Sequence, residues 1–483
     1  MAAWTAIGTE TRARSALLAA AALCGGATAQ TPPPATGQTG CTSAQPTYRF
    51  LRYLEDFQSL RDPACLSDPW DGVKHIALGR TGESFLTFGG DARLQLINAR
   101  NLSFGNEGGD NHNVLLERYH VHAGLRVSSQ FRLFAELKSN TQHGREPGPL
   151  GTDVDHADVH QAFVDIGSTS ATVLRVGRQE FLYGSGRRIF PRNGPNVRGN
   201  FDAVRLSSPV GDWRADAFVF RPVAIDRGAF DDGTIDTQTY WGVYATGPHP
   251  AIAPALLDVY YIGANRESAR FQQGASAEHR QTLGARLFGR SAAWDHDHEV
   301  SVQWGRFGAA SIKAWAIASE TGYTWNAASL QPRVSLRASA ASGDRDAGDP
   351  ALQTFNSLLP RGGAVDDGFN VSAANMTHLR VAAAFSVSPA VKARIALNSQ
   401  WRTSERDGVY GAGGGLIRNA GTSQARHVGD GIDLLVIWTI SRHATLDLGA
   451  GYFASGRFVS IWLNSASSPN TTPPASVIRP RSG

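Results

Sequence analysis

The stretch that decides the fold is residues 391–402, VKARIALNSQWR, in which apolar and polar residues alternate. One set is Val391, Ala393, Ile395 and Leu397, and the other is Lys392, Arg394, Asn398, Gln400 and Arg402. Successive side chains of a β-strand point to opposite faces of the sheet. This period of two therefore predicts a strand with one apolar face and one charged face.

The same alternation recurs from residue 85 onwards, in segments divided by Gly, Pro, Asp or Asn. Clear examples are residues 86–96, 115–127, 131–138, 213–219, 333–340 and 432–440. At roughly 25 residues for each strand with its turn, the chain after residue 29 would hold about 18 strands, which is within the range of porins. The sequence thus predicts an all-β fold, with a large antiparallel transmembrane β-barrel over residues 85–463.

The composition excludes several other classes of protein. The 483 residues include 52 Gly and have a mean hydropathy of −0.24, and no apolar run is long enough for a membrane-spanning helix. The aromatic share of 9% argues against a disordered chain. The formal charge of +4 is too small to indicate a nucleic-acid partner.

Alternation alone would also fit a soluble β-sandwich, so a periplasmic β-rich carbohydrate-binding protein is a competing hypothesis. Three features favour a barrel in a membrane. Residues 1–29 have the features of a secretory signal, with Arg12 and Arg14 before an apolar run and a small-residue cleavage site at 27–29. Tyr and Trp recur near strand ends, and the charged faces are too numerous for a small sealed interior.

The N-terminal region divides into three parts. The predicted signal at 1–29 is followed by a flexible leader at 30–47, rich in Pro, Thr and Gly, and by a periplasmic segment at 48–84. Cys24 would be removed with the signal, which leaves two cysteines, Cys41 and Cys65, in an oxidising compartment. We expect a structural disulfide between them rather than two free thiols.

The basic residues are mostly arginine: Lys occurs only at 74, 138, 313 and 392, so 42 of the 46 are Arg. Codon bias in a GC-rich genome would explain this choice. Arginine also presents a planar fork of donors that holds a carboxylate bidentately. Because the predicted polar faces carry more basic than acidic residues, we expect a positive lumen that concentrates anions. In the alternative, these arginines pair with lumen acids, brace the wall and select nothing.

Two histidine-containing groups are weaker signals. Residues 296–299, HDHE, lie at a predicted turn, and His156 and His160 lie among aspartates in a predicted polar loop. Either group has metal-ligating side chains, but solvated side chains are the expectation. We find no nucleophile elbow, no His-Glu-x-x-His and no phosphate-binding loop, so no enzyme activity and no cofactor are predicted.

Several short motifs resemble those of one family, the alginate export family of outer-membrane porins, over residues of about 48 to 459. The motifs are YLED at 53–56, LRDP at 60–63, FGGDAR at 88–93, HQAFVD at 160–165, LRVGRQE at 174–180, YGSGR at 183–187, GPNVR at 194–198, FDAVRL at 201–206 and DGVYG at 407–411. The resemblance implies a barrel of about eighteen strands in the outer membrane of a Gram-negative bacterium. It also implies an arginine-rich pore that passes a uronate polymer.

The resemblance and the alternating strands together nominate nine substrate-binding residues. Those from the resemblance are Arg93, Arg175, Arg178, Arg187, Arg198 and Arg205, and those from the strand faces are Arg118, Arg126 and Lys138. For Arg178 and Arg187, hydrogen bonds that hold a loop are an alternative role. The partners implied are an anionic saccharide, outer-membrane lipid and, for polymer export, periplasmic proteins; a monomer fits the family.

The C-terminus departs from the family pattern. After residue 463 the chain becomes rich in Ser, Asn and Pro, and prolines forbid an ordinary closing strand. We therefore expect a barrel that lacks its closing C-terminal strand, a disordered tail at 464–483, and a seam. The leading hypothesis is an outer-membrane channel for an anionic polysaccharide or uronate oligomers, and a general anion-selective nutrient porin is the alternative.

Overall fold

The computed structural model describes residues 14–18, 41, 46–79, 83–100, 112–146, 148–168, 170–252, 254–361 and 371–460. The strands are β1 (Arg14–Leu18), β2 (Ile76–Leu78), β3 (Ser84–Ala99), β4 (His112–Ser128), β5 (Phe131–His143), β6 (Asp155–Gly167), β7 (Val173–Gln179), β8 (Phe201–Val210), β9 (Trp213–Pro222), β10 (Gln238–Pro248), β11 (Leu256–Phe271), β12 (Gly274–Ser291), β13 (Trp294–Phe307), β14 (Ala310–Thr324), β15 (Arg333–Ala341), β16 (Ala351–Leu352), β17 (Met376–Ser386), β18 (Val391–Arg402), β19 (Val409–Tyr410), β20 (Leu416–Arg418), β21 (His427–Thr439) and β22 (Thr445–Ser455). Short 3-10 turns span Arg52–Leu54, Gln58–Arg61 and Pro63–Cys65, and α1 spans Asp71–Lys74. Within these ranges no helix has the length and apolarity needed to cross a bilayer.

The long strands form one antiparallel sheet in which neighbours in the chain are neighbours in space. Strands β3 to β15, followed by β17, β18, β21 and β22, make seventeen consecutive strands. The short β16 lies outside this succession, because it pairs in parallel with β14 while β15 pairs directly with β17. The predicted all-β fold, a large antiparallel β-barrel, is confirmed.

The two faces of the strands are inverted relative to a soluble protein. On β4, Arg118 and His120 are each only 2% exposed, whereas Tyr119 and Val121 are 45% and 59% exposed. The same inversion holds on β18, where Leu397 is exposed and Asn398 is buried. Apolar side chains directed outwards are unfavourable in water and favourable in lipid. This distribution contradicts the soluble alternative.

The two ends of the barrel differ. At one end, here the short-turn end, hairpins close in a few residues, as at 129–130, 211–212 and 292–293. Exposed tryptophans, Trp294, Trp325 and Trp438, surround this end, where an interfacial girdle would lie. The opposite end, the long-loop end, carries the connections 180–200 and 403–426.

The loop of residues 180–200 folds into the barrel. Ile189 forms a parallel bridge with Leu359, and the Phe190 amide donates to the Leu359 carbonyl at 2.9 Å. The Arg361 amide donates to the Gly186 carbonyl at 3.0 Å. The loop aromatics join a cluster with inward-facing strand residues, among them Phe181, Tyr183, Phe201, Phe218, Phe220, Tyr240, Tyr244 and Tyr260. The interior is therefore a packed and hydrogen-bonded region as well as a lumen.

The N-terminal segment, residues 46–79, lies at the short-turn end and contacts the interior. The Tyr53 ring packs edge-on against Phe134 and Phe163, and its hydroxyl donates to the Glu180 carbonyl at 3.0 Å. Asp68 pairs with Arg442 and His443 in the turn between β21 and β22. A disulfide joins Cys41 to Cys65 and closes a loop in this region.

The first and last long strands meet at a seam. Because seventeen is odd, β3 and β22 run in the same direction, and an antiparallel closure needs one further strand between them. The backbone of β1 pairs antiparallel with both, at residues 451–454 of β22 and 98–99 of β3, while β2 pairs with 84–86. No other described residue pairs with this edge of β3. The rest of the predicted signal, most of the leader and the predicted tail at 464–483 lie outside the described residues.

Two of the local predictions were wrong. Residues 296–299 lie within β13, because Ala292, with a φ of 52°, makes the turn and Trp294 already pairs with Ser291. His156 and His160 lie on β6, and His160 is fully buried. In both places a cluster of polar residues indicated a loop, although in a barrel such residues occupy the interior face of a strand.

Candidate functional site

Two of the nine nominated residues hold the loop of residues 193–196 against the wall. Arg93 donates to the carbonyls of Asn193 and Pro195 at 2.7 and 2.9 Å. Arg118 donates to the carbonyls of Asn196, at 2.7 Å, and Pro195, at 2.5 Å. These guanidinium groups fix the position of the loop, because each reaches carbonyls that have no strand partner.

Five more of the nominated residues form ion pairs inside the barrel, among them Lys138 and Arg178. Lys138 Nζ lies 2.6 Å from Asp155 and 2.6 Å from Asp232. Arg178 contacts both oxygens of Asp202, at 2.9 and 3.2 Å. These contacts match the bracing role that sequence analysis left open.

Arg187 belongs to the same group and reaches strand β13. Its Nη1 contacts Asp297 at 2.8 Å and Glu299 at 2.9 Å. Arg286 also binds Asp297, with nitrogen–oxygen distances of 3.0 and 2.8 Å. The residues first interpreted as a solvated turn are therefore the carboxylates that hold the 180–200 loop to the wall.

Arg198 is paired with Glu180 at the start of the same loop. Its Nη2 lies 2.6 Å from Glu180 Oε2, and both side chains are almost fully buried. The other oxygen, Oε1, lies 3.0 Å from His160 Nε2. Burial raises the pKa of the Glu180 carboxyl, and the Arg198 guanidinium opposes that shift.

Arg175 is part of a cluster with more guanidinium groups than carboxylates. It binds Asp165 through two nitrogens at 2.6 and 2.9 Å, and Arg132 binds the same carboxylate through Nε at 3.0 Å. The Arg175 guanidinium carbon lies 4.0 Å from the ring centre of Tyr53 and 3.9 Å from that of Phe163. Two arginines on one carboxylate leave a residual positive charge.

A second carboxylate that is shared by two arginines is Glu278 on β12. Both Arg266 and Arg280 form ion pairs with it, the latter at 2.6 Å. Glu278 and Arg280 are fully buried, whereas Arg266 is partly exposed. Positive charge in excess of the paired acids is therefore found at two separate positions on the interior face.

Arg126 and Arg205 differ from the other nominated residues. Neither has a carboxylate within ion-pair distance among the described residues, and the Nε of each is buried without a hydrogen-bond acceptor. Each lies near an aromatic ring, Arg126 at 5.7 Å from the Phe85 ring centre and Arg205 at 5.6 Å from that of Phe181. Among the nominated residues, Arg126 and Arg205 thus contribute positive charge that no described carboxylate neutralises at ion-pair distance.

Arg126 lines a cavity at the short-turn end. Arg126 and Arg132 are register partners across the β4–β5 hairpin, and Arg52 of the N-terminal segment lines the same cavity. The other lining residues are Tyr53, Glu55, Asp56, Phe57, Phe85, Thr87, His122, Gly124 and Phe134. Three guanidinium groups therefore converge at this end of the barrel.

Sequence analysis missed most of the acids that hold these arginines. The alternation predicted more basic than acidic residues on the polar faces and did not place Asp165, Glu180, Asp202, Asp258, Glu278, Asp297 or Glu299 there. A signal was present in one case. Asp165 and Arg175 are register partners across a hairpin whose turn is marked by the sequence STSAT at 168–172.

Comparison with known proteins agrees with this architecture. The family model for alginate export matches residues 84–468. A search of curated proteins gave no significant match. Among solved structures, a BenF-like porin from Pseudomonas fluorescens Pf-5 superposes with a TM-score of 0.52 at 9% identity, covering 77% of this chain and 97% of the porin.

A second similar structure is that of Pseudomonas aeruginosa OccK2 (OpdF) in complex with glucuronate. Its TM-score is 0.50 at 10% identity, and the match covers 80% of this chain and 97% of that protein. At such identity the two structures support the fold, a porin-type barrel. The family match extends over most of the chain and includes all nine nominated residues, seven on strands and two, Arg187 and Arg198, in the 180–200 loop. This protein is an outer-membrane channel protein and belongs to the alginate export family.

Proposed function

We propose that the barrel conducts anionic saccharides of the uronate class through a lumen whose fixed charge is positive. The observation that carries the proposal is that two arginines, Arg132 and Arg175, share a single carboxylate, Asp165, while Arg126, the register partner of Arg132, has no carboxylate within ion-pair distance among the described residues. A low-dielectric wall with excess positive charge attracts anions and repels cations. The guanidinium fork suits a carboxylate, which is the anionic group of a uronate.

The route that we infer begins at the short-turn end. Short turns face the periplasm and long loops face outside in barrels of this kind. The cavity beside Arg126 would then be the periplasmic entrance, and Arg205 would lie further along the same side. An anion exchanges one guanidinium contact for the next without chemical change, so the proposed transport is passive and needs neither enzyme activity nor a cofactor.

A similar barrel, OccK2 (OpdF), was crystallised with glucuronate, a single uronate unit. This agrees with the proposal for the chemical class of the solute. In the present protein, loops 180–200 and 342–361 meet inside the barrel through the Ile189–Leu359 bridge. Because these loops fill part of the interior, a second candidate function is the passage of small anions or short uronate oligomers. The filled interior favours these solutes over a long polymer.

The test is the reversal potential of the protein in a planar lipid bilayer under a salt gradient. We expect a potential of the sign given by anion permeation. Equal permeation of both ions, or cation permeation, would contradict the proposal. Arg306→Gln serves as the control, because Arg306 is an exposed residue at the long-loop end of β13 and its replacement should leave the potential unchanged.

A further inference from the structure

We propose that His120, Glu136 and His160 bind one divalent transition-metal ion on the interior face of the barrel. The three residues lie on the adjacent strands β4, β5 and β6. All three are almost fully buried. The site is separate from the arginine cluster at Asp165, and the inference does not depend on the proposed transport function.

The geometry suits a single ion. His120 Nδ1 lies 3.2 Å from Glu136 Oε1, and His160 Nε2 lies 3.9 Å from the same oxygen. One ligand atom from each residue lies within 4.8 Å of the other two. Metal–ligand bonds of about 2.0–2.1 Å in a tetrahedron separate neighbouring ligand atoms by roughly 3.3 Å. The three atoms are thus close to the spacing of three protein ligands in a tetrahedral site with one open position.

The ring nitrogens supply an independent observation. Both nitrogens of His120, and Nδ1 of His160, are buried without a hydrogen-bond partner among the described residues. Buried polar atoms are normally satisfied, because water is no longer available to them. Coordination through His120 Nδ1 would satisfy one of these atoms. Coordination through His160 Nε2 would replace its present contact with Glu180.

Glu136 supplies a third observation. Its carboxylate is 1% exposed, and the charged or titratable side chains within ion-pair distance are His120, His122 and His160 only, among the described residues. Gln161 adds one weak hydrogen bond at 3.5 Å. A buried carboxylate without a cation is strongly unfavourable. An ion between Glu136 and the two imidazoles would offset its charge.

A neighbouring acidic cluster shows the contrasting case. Asp155, Asp158 and Asp232 also have ligand atoms close together. There, however, the ammonium group of Lys138 lies 2.6 Å from both Asp155 and Asp232 and supplies the positive charge. Of the lysines and arginines in the described ranges, none lies within ion-pair distance of Glu136. The proposal therefore concerns the histidine-containing site alone.

The ligand set defines the class of ion. Two imidazoles and one carboxylate, with a fourth position left for water, suit Zn²⁺, Co²⁺ or Ni²⁺. Ca²⁺ and Mg²⁺ prefer sites made of oxygen atoms only. Glu180 borders the open position, and Arg198 holds its other oxygen at 2.6 Å. The ion would therefore tie three strands of the wall to the start of the 180–200 loop.

The test is Co²⁺ and Zn²⁺ binding by the full chain, purified in detergent and stripped with a chelator. Visible absorption of bound Co²⁺ reports coordination, and calorimetry with Zn²⁺ gives the affinity. We expect one ion per chain. His160→Gln and Glu136→Gln should each weaken binding by more than about tenfold, since even loss of an outer-shell partner costs that much.

The matched control is His378→Gln, which changes a buried interior histidine on β17 and should leave metal affinity unchanged. The heat-dependent shift of a folded barrel on a gel verifies that each variant has folded. The proposal is overturned if the folded wild-type protein binds neither ion, or if folded His160→Gln binds as tightly as the wild type. The wild-type measurement needs no variant. The proposal can therefore be overturned even if a variant fails to fold.

Discussion

The Arg198 guanidinium donates to Glu180 Oε2 at 2.6 Å inside the barrel, and both side chains are buried. This pair joins the beginning of the 180–200 loop to its end, since Glu180 and Arg198 lie 18 residues apart in the chain. The loop is therefore held in the lumen by a charged contact that the solvent does not reach. Further contacts made by Arg93, Arg118 and Arg187 hold its middle.

Glu180→Gln removes one partner of this pair and leaves the Arg198 charge buried. The free energy of unfolding should fall by about 3–5 kcal/mol, as is typical when a buried pair is broken from one side. Urea unfolding in detergent, with metal removed, measures the change. Asp236→Asn is the control, because its pair with Arg221 is exposed and should contribute about 0–1 kcal/mol. Equal losses in the two variants would show that Glu180 is not paired as described.

Arg118→Gln releases the loop at residues 193–196. Charge-assisted hydrogen bonds to the carbonyls of Pro195 and Asn196 are lost, and we expect the loss of at least about 2 kcal/mol of local stability. Hydrogen exchange of the amides at 193–197 should become faster. Arg306→Gln, on the exposed face, should leave it unaltered. Unchanged exchange in folded Arg118→Gln would contradict the clamp.

Cys65→Ser removes the disulfide to Cys41. A disulfide that closes a loop of this size contributes about 2–4 kcal/mol, largely by restricting the unfolded chain. Thermal unfolding should therefore occur at a lower temperature in the variant. A reductant should lower the transition of the wild type to that of the variant and leave the variant unchanged. A reductant effect of the same size on both proteins would rule out this role.

Asp344 and Asp407, in loops at the long-loop end, predict a pH dependence. The Asp344 amide donates to Asp407 Oδ2 at 2.8 Å, and burial raises the pKa of both carboxyl groups. An acid whose pKa rises on folding holds its proton more tightly when folded. The loops therefore lose stability as the pH increases from about 4, the ordinary Asp pKa, to the raised value.

Amide hydrogen exchange of residues 342–356 measures this effect, when the rate at each pH is divided by the intrinsic rate of an unprotected amide at that pH. Protection should be greater at pH 4 than at pH 7, and Asp344→Asn should reduce the difference. The exposed Asp346→Asn should not change it. Greater protection at pH 7 in the wild-type protein would reverse the predicted sign.

Arg126→Gln tests the entrance of the proposed pore. Arg126 has no carboxylate partner among the described residues, so its removal takes away net positive charge from the cavity without breaking an ion pair. The ratio of anion to cation permeability should fall by roughly twofold or more, because a unit charge at about 4 Å changes the energy of an ion by more than 0.4 kcal/mol at a surface-like dielectric. Lys138→Gln, which breaks a buried ion pair, should instead affect mainly stability. An unchanged ratio in Arg126→Gln would exclude it from the ion path.

The sequence predicted the parts of the fold that depend on local pattern. Alternation in residues 391–402 placed Leu397 outside and Asn398 inside, as the structure has them. The absence of a closing C-terminal strand stays a prediction, because the proline-rich residues after 463 lie outside the described residues. Residues 296–299 were misjudged, since charged residues in a strand resemble a turn unless the interior is already known to be polar.

The pairing of the arginines could not be predicted in the same way. Lys138 meets Asp232 from 94 residues away, and Arg187 meets Asp297 from 110. Such contacts depend on how far a loop reaches into the lumen. The alternation of apolar and polar residues and the composition of the chain do not predict that reach. Arg126 and Arg205, which have no carboxylate partner among the residues that the structure describes, are therefore the nominated residues that best fit the role the sequence suggested.

Single-channel current with an oligouronate added on the short-turn side tests anion conduction through the positive lumen most directly. We expect an anion-selective current that the oligouronate interrupts, with shorter or fewer interruptions in Arg126→Gln. A cation-selective current, or one that a neutral oligosaccharide of the same length interrupts equally well, would contradict it.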